Sequence, residues 1–286
     1  MKFSKNIPKI EVYGALFDAH VHSYFDYHDG MLSPEQIIKC TIKCGFNWVL
    51  AMSHDTCIGN KIIARKAKEK KLPCITGIEV STIHNHLLAY GVYEWKYRRD
   101  TLTPEEAVEL LREQDAAIFL AHPCSNPRRI KNGYWYPEIA KKLDFDGIEW
   151  INGSQSILNR KTWNFFRSIP KGRRIAGTDS HHPSTFGFSF TQVNINSTDP
   201  DDLVAAMKKG KCWALGTYVP LHRIIYSSLV AIIENNLVKR KFIENKWIKP
   251  HGDHPGSILP PVIQDHKIWL QKILKKPNIK NDFKLN

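Results

Sequence analysis

The sequence predicts an α/β barrel, and three observations predict it. Short apolar runs rich in β-branched residues alternate with amphipathic helical stretches, helix-start signals fall between the runs, and histidines and acids gather where the runs end. A chain of 286 residues can bury one substantial core, so a single catalytic domain is expected over residues 1–236. A basic C-terminal extension, partly helical or disordered, is expected over 237–286.

The predicted strands are 15–19, 47–52, 73–77, 86–91, 117–121, 146–150 and 173–177. Ser33-Pro34-Glu35 opens a helix as N-cap, N1 proline and acidic first turn, and Thr103-Pro104-Glu105-Glu106 repeats that chemistry. A third helix starts at Asp199-Pro200 and ends near Gly210. The pattern weakens from about residue 236, where His251-Gly252-Asp253-His254-Pro255-Gly256 and Pro260-Pro261 read as a loop. A short basic helix over 262–276 follows, and its Val262, Ile263, Trp269, Leu270, Ile273 and Leu274 suggest docking onto the barrel, with disorder after Pro277.

Composition narrows the class. Hydrophobic residues at 42% and aromatics at 11% suit a folded globular protein. No stretch approaches the roughly 20 apolar residues that span a bilayer, and the N-terminus lacks the apolar run and cleavage site of a signal peptide. A cytoplasmic protein without a membrane partner is expected. Six scattered cysteines read as reduced thiols; Cys40 and Cys44 share a helical face but lack the second pair a structural zinc would need. Net charge is +13, and residues 237–286 carry eleven Lys/Arg against four Asp/Glu, more than half of the excess. That tail is either a solvated extension or a patch drawing phosphate-bearing substrates or nucleic acid.

The chemistry-bearing residues fall at strand ends. His20 and His22 end the first predicted strand, His54-Asp55 the second and Glu79 the third; His86 begins the next run, and His122 and then Asp179 with His181 end later ones. In an α/β barrel that edge is where the functional loops converge. Alternation along a strand puts i and i+2 on one side, so His20 with His22, and Asp179 with His181, can face one ion. Imidazole and carboxylate donors together suit zinc, manganese or iron, with a carboxylate such as Glu79 able to bridge two ions. A lone His-x-His carries little weight; the ordered set carries the argument for two or three divalent ions.

Phe17-Asp18-Ala19-His20-Val21-His22-Ser23, Met52-Ser53-His54-Asp55, Gly77-Ile78-Glu79-Val80-Ser81, His86-Leu87-Leu88-Ala89-Tyr90-Gly91, Ala121-His122-Pro123 and Gly177-Thr178-Asp179-Ser180-His181 resemble the successive motifs of the PHP (polymerase and histidinol phosphatase) family. The resemblance spans about residues 14–220. It implies a distorted seven-stranded (β/α)7 barrel with a two- or three-metal centre. By that resemblance His20, His22, Glu79 and Asp179 hold one ion, and Glu79 bridges to a second that His86 and His122 complete. Asp29, His54 and His181 hold a third, with Asp26 or His28 as alternatives to Asp29 because the gap after the His-x-His-Ser is longer than the family's. His86 is taken over His84 because it directly precedes the apolar run.

The expected activity is hydrolysis of a phosphomonoester or nucleotide-type substrate by a metal-activated water. Asp55, Asp179 and His181 are the candidates for proton handling and leaving-group assistance. Arg128 and Arg129, just past His122, are the candidates to grip a phosphate, and Tyr134, Trp135 and Tyr136 to stack on a base. Two other enzymatic classes share these residues: a nuclease acting on single-stranded DNA or RNA, and a metallohydrolase of non-phosphate esters, amides or carbamates. A small phosphorylated substrate is the leading expected partner.

Overall fold

A computed structural model describes residues 14–25, 30–125 and 140–234. In chain order the described elements are β1 (Ala15–Phe17), α1 (Pro34–Lys43), β2 (Val49–Ala51), α2 (Asn60–Glu69), β3 (Cys74–Ser81), β4 (His86–Tyr90), α3 (Pro104–Arg112) and β5 (Ala117–Leu120). There follow β6 (Gly147–Asn152), α4 (Ser156–Phe166), β7 (Arg174–Gly177), β8 (Ser189–Val193), α5 (Pro200–Lys208), β9 (Cys212–Gly216) and α6 (Leu221–Glu234). The expected domain boundary at 236/237 and the helix over 262–276 lie outside the described residues.

Local chemistry sets the helix starts as the sequence predicts. Ser33 Oγ accepts from Gln36 N while Gln36 Oε1 accepts from Ser33 N, at 3.2 and 2.8 Å. Thr103 and Glu106 form the same reciprocal box, and Asp199 caps α5 by accepting from Asp201 N. Such caps satisfy amide groups that the first turn leaves without partners, each contributing about 0.5–2 kcal/mol. Ile37 and Ile38 of α1, Ile63 of α2 and Leu203 of α5 then bury their side chains against the strands.

All seven predicted strands form, and two more that were not predicted, β8 and β9, join them. The strands make a six-stranded sheet in the order β2-β3-β4-β5-β6-β7 and a three-stranded antiparallel sheet in the order β1-β8-β9. The larger sheet is mixed, with β2/β3, β5/β6 and β6/β7 parallel and β4 antiparallel to both of its neighbours. The reason is local: Thr82 N donates to Asn85 O at 3.1 Å and Thr82 Oγ1 to the same oxygen at 2.6 Å. So tight a turn leaves no room for the crossover that a parallel connection needs.

The chain just after β1 lies between the two ends of the larger sheet. On one side His22 N donates to Ser180 O and Ser180 N to His20 O, extending beyond β7; on the other, Ser23 N donates to Met52 O beyond β2. Two apolar clusters fill the interior, one around Phe17, Leu50 and Tyr90 and another around Ile78, Leu87 and Ile118. The six cysteines are unpaired thiols, as expected. No helix among the described residues is long and apolar enough to cross a membrane.

Candidate metal centre

Val21 forms a parallel bridge with Ser180, and its neighbours His20 and His22 both turn into the molecule, where each is fully buried. The close approach depends on Gly177: a Cβ there would lie 2.4 Å from the His20 backbone nitrogen. A glycine is therefore required where β7 passes His20.

Glu79 stands at the centre of the cluster. It does not end β3 as predicted, because the strand continues to Ser81. Its Oε2 lies 2.9 Å from His20 Nε2, 3.1 Å from His22 Nε2 and 3.2 Å from His54 Nδ1. Its Oε1 lies 2.7 Å from His86 Nδ1 and 3.0 Å from His122 Nε2. Asp179 Oδ1 completes the group at 3.1 Å from His22 Nε2 and 3.5 Å from His20 Nε2. The His181 ring stacks on that of His22 with centroids 4.1 Å apart.

These donors fall into three groups that suit an ion: His20, His22, Glu79 and Asp179; His54, Glu79 and His86; and His22, His54 and His181. The first is the set implied for the first ion by the sequence resemblance. The other two partition the donors differently, drawing His54 toward Glu79 and giving His22 to the third group. His122 touches Glu79 without joining a group. Asp29, with its alternatives Asp26 and His28, and also Arg128, Arg129 and Tyr134 to Tyr136, lie outside the described residues. His84 sits in the Thr82–Asn85 turn, where its N–H donates to Thr82 Oγ1.

The donor set fits divalent cations. Metal–ligand bonds of about 2.0–2.2 Å put neighbouring donors of one tetrahedral ion roughly 3.3–3.5 Å apart, and the first group's contacts run from 2.9 to 3.5 Å. His20 Nε2 and His22 Nε2 face each other at 3.1 Å beside one carboxylate oxygen, so three potential metal donors converge on one point. Burial favours the neutral forms of Glu79 and Asp179, but the surrounding histidines outweigh it and hold both carboxyls well below the usual range. Burial likewise opposes charging His20, yet Asp179, Glu79 and Glu149 push its pKa well above normal.

Three supporting residues escaped the sequence reading. Glu149, fully buried in β6, places Oε1 2.9 Å from His20 Nδ1, and its Oε2 accepts from the His122 amide at 2.6 Å and from Asn152 Nδ2 at 3.2 Å. Asn152 also donates to Asp179 Oδ2 at 3.1 Å. Asp18 accepts from Thr178 N, Thr178 Oγ1 and Gly187 N, tying β1 to the loop that carries Asp179. The one visible signal was a glutamate inside the apolar run Gly147-Ile148-Glu149-Trp150-Ile151, since a buried carboxylate needs a partner.

Asp55 stands behind the cluster. Its Oδ1 accepts from Ser81 N at 2.7 Å, its Oδ2 is buried without a hydrogen bond, and burial pushes its pKa up to about 7. Asp55, His122 and Asp179 all have positive φ, at 49°, 25° and 54°. Non-glycine residues enter that region at a cost, and such strain concentrates at functional sites.

Comparison with known proteins agrees with this geometry. Residues 167–212, which carry Asp179 and His181, match the family described as PHP-associated. A two-domain protein of Bacteroides vulgatus, described as containing a predicted PHP-like metal-dependent phosphoesterase, superposes with a TM-score of 0.55 at 18% identity, covering 74% of this chain and 68% of that one. PsfC of Pseudomonas syringae superposes at 0.56 with 11% identity over 76% of this chain and 98% of its own. A lesion-specific endonuclease of Pyrococcus furiosus superposes at 0.52 with 19% identity over 70% of this chain and 57% of that one. In sequence, an uncharacterised protein of Methanocaldococcus jannaschii is 24% identical over 144 residues, 47% of this chain and 80% of the relative. The chain thus carries a PHP-associated segment over residues 167–212 and has a fold similar to that of PHP-like proteins.

Proposed function

We propose that this protein is a metal-dependent phosphoesterase acting on a phosphomonoester or nucleotide-type substrate. The observation that carries the reading is Glu79, whose two oxygens lie within 3.2 Å of nitrogens from five buried histidines. His20, His22, Glu79 and Asp179 would hold one ion, and Glu79 with His54, His86 and His122 a second; His181 and Asp29 are assigned to a third. Bound ions supply an activated water and neutralise charge on the phosphate oxygens. Hydrolysis then forms one P–O bond from water and breaks the ester P–O bond, and the departing alkoxide takes up the proton that the water gives.

The chain's own groups orient and shuttle. Glu149 fixes the ring and tautomer of His20 through Nδ1, and Asn152 holds the second oxygen of Asp179. Asp179 and His181 border an open cavity, where Asp179, held as its carboxylate, can orient the attacking water and His181 can pass a proton to a leaving oxygen. Asp55 supports the β2–β3 side, and Arg128 with Arg129 is assigned to phosphate binding. In the same reading the two sheets, joined by residues 15–23, form a distorted (β/α)7 barrel, with 237–286 as a basic extension.

A nuclease is the second reading, favoured by the likeness in fold to a lesion-specific endonuclease and by the basic balance of the chain. The deciding experiment is metal analysis of the purified chain, then a panel of phosphomonoesters, cyclic nucleotides and short oligonucleotides with zinc, manganese or iron added. Metal-dependent release of phosphate from monoesters is expected. Cleavage of oligonucleotides alone would transfer the reading to a nuclease, and turnover confined to carboxylic esters, amides or carbamates would overturn it.

A further inference from the structure

A cavity of about 200 Å³ opens beside Asp179 and His181, and its far wall is the face of α6 carrying Ile224, Ser227, Ser228 and Ala231. This helix lies outside the PHP-associated segment. It is moored at three points to the loops that follow β6 and β7. Val219 N, just before it, donates to Gly153 O at 2.9 Å, Arg223 Nη1 donates to Ser184 O at 3.0 Å, and the Tyr226 ring meets the His182 ring edge-on at 5.3 Å. The wall is therefore fixed relative to Asp179.

The chemistry of the lining is specific. Apart from Asp179 and His181 it offers the hydroxyls of Ser154, Thr185, Ser227 and Ser228 and two aliphatic patches, Ile224 and Ala231. Ser154 Oγ donates to Thr178 O, which leaves its oxygen as an acceptor toward the cavity, whereas Thr185 Oγ1 is shared between His182 O and Ser180 Oγ. The lining holds no lysine or arginine and no phenylalanine, tyrosine or tryptophan among the described residues. Arg223 is turned to Ser184 and lies over the Phe188 ring instead. Among the described residues the cavity thus presents no cation for a second anionic group and no indole, phenol or phenyl plane for a base. Its volume also falls below the roughly 300–1,000 Å³ typical of drug-sized ligand pockets.

We propose that this cavity receives the alcohol portion of the substrate and selects a small aliphatic alcohol rich in hydroxyls, of the polyol or sugar class, over an aromatic or nucleobase-bearing one. The proposal rests on the phosphoesterase reading above. Hydroxyl-lined walls reject a ligand that leaves them without partners far more strongly than an apolar wall rejects a small change in shape.

The test uses the metal-loaded full chain with glycerol 3-phosphate, ribose 5-phosphate, phenyl phosphate and a short oligonucleotide. The two polyol-type esters should exceed phenyl phosphate in kcat/KM by at least about tenfold, although phenolate is the better leaving group. Ala231→Phe, which fills the cavity, should lower that ratio by about tenfold or more. Saturation-transfer NMR on the chelated protein should detect free ribitol binding to the wild type and not to Ala231→Phe. Phenyl phosphate or the oligonucleotide cleaved as fast as the polyol esters, with a ratio that Ala231→Phe does not move, overturns this proposal and leaves the phosphoesterase reading standing. Failure to hydrolyse any phosphoester overturns both.

Discussion

Glu149 Oε1 sits 2.9 Å from His20 Nδ1, on the opposite side of the ring from the nitrogen that meets Glu79. His20 is thereby held at both nitrogens by carboxylates from different strands. The outer one fixes which nitrogen is free to bind an ion, and it makes that nitrogen a stronger donor. Glu149→Gln should weaken metal affinity by about 10–100-fold, read by competition with a chromogenic chelator, with circular dichroism unchanged. An affinity equal to the wild type would remove Glu149 from the site.

Substituting alanine for both His20 and His22 takes away two of the four donors of the first group. Turnover of any metal-dependent substrate should fall to the detection limit, and metal content should drop by at least one ion per chain, while the thermal transition of the chelated protein stays cooperative. Retained activity in the double variant would contradict the assignment.

Gly177→Ala places a methyl group 2.4 Å from the His20 backbone nitrogen. Crowding of this kind typically costs about 1–3 kcal/mol, which for a domain of this size lowers Tm by roughly 2–4 °C per kcal/mol. Differential scanning calorimetry measures it, and an unchanged Tm would mean that β7 can step away from His20 freely.

Proton linkage follows from the raised histidines. Burial opposes the charging of His20 and His122, but carboxylates outweigh it and raise both above their ordinary value. In the metal-free chain they contribute stability that is fully present below the unfolded value of about 6.5 and is lost as pH rises through their folded values. His86 runs the other way, since burial lowers it. Ions take only neutral imidazole, so loading near pH 7 should release protons, and metal affinity should climb with pH. Calorimetric heats of metal binding should therefore vary with the ionisation enthalpy of the buffer; heats independent of buffer would refute the linkage.

Much of this was legible before any coordinates. Ser33, Thr103 and Asp199 announced their helices because capping is a local interaction among four residues. The histidines announced the centre because they recur at the ends of apolar runs. What escaped reading was non-local. β8 buries Ser189, Thr191 and Val193 and leaves Phe190 half-buried, so its apolar residues do not mark one face, and β9 shows no alternation; both exist because β8 pairs with β1 and β9 pairs with β8. The antiparallel setting of β4 hinges on a side chain, Thr82, closing one turn. Glu149 was hidden because its partner His20 lies 129 residues away. α6 was missed because its exposed face carries Leu221, Ile225, Leu229 and Ile232, so the polar stripe that marks a surface helix is absent.

The segment after β1 supplies His20 and His22 and at the same time bonds to the chain beyond both β2 and β7. Ion capture and the joining of the sheet's two ends are therefore one thermodynamic event. A fluctuation that parts Ser180 from His20 and His22 removes donors from an ion, and an ion that holds both imidazoles restrains that parting. Hydrogen exchange at the His22 and Ser180 amides should accordingly act as a gauge of metal occupancy, slow in the loaded protein and fast after chelation, even where no substrate is known.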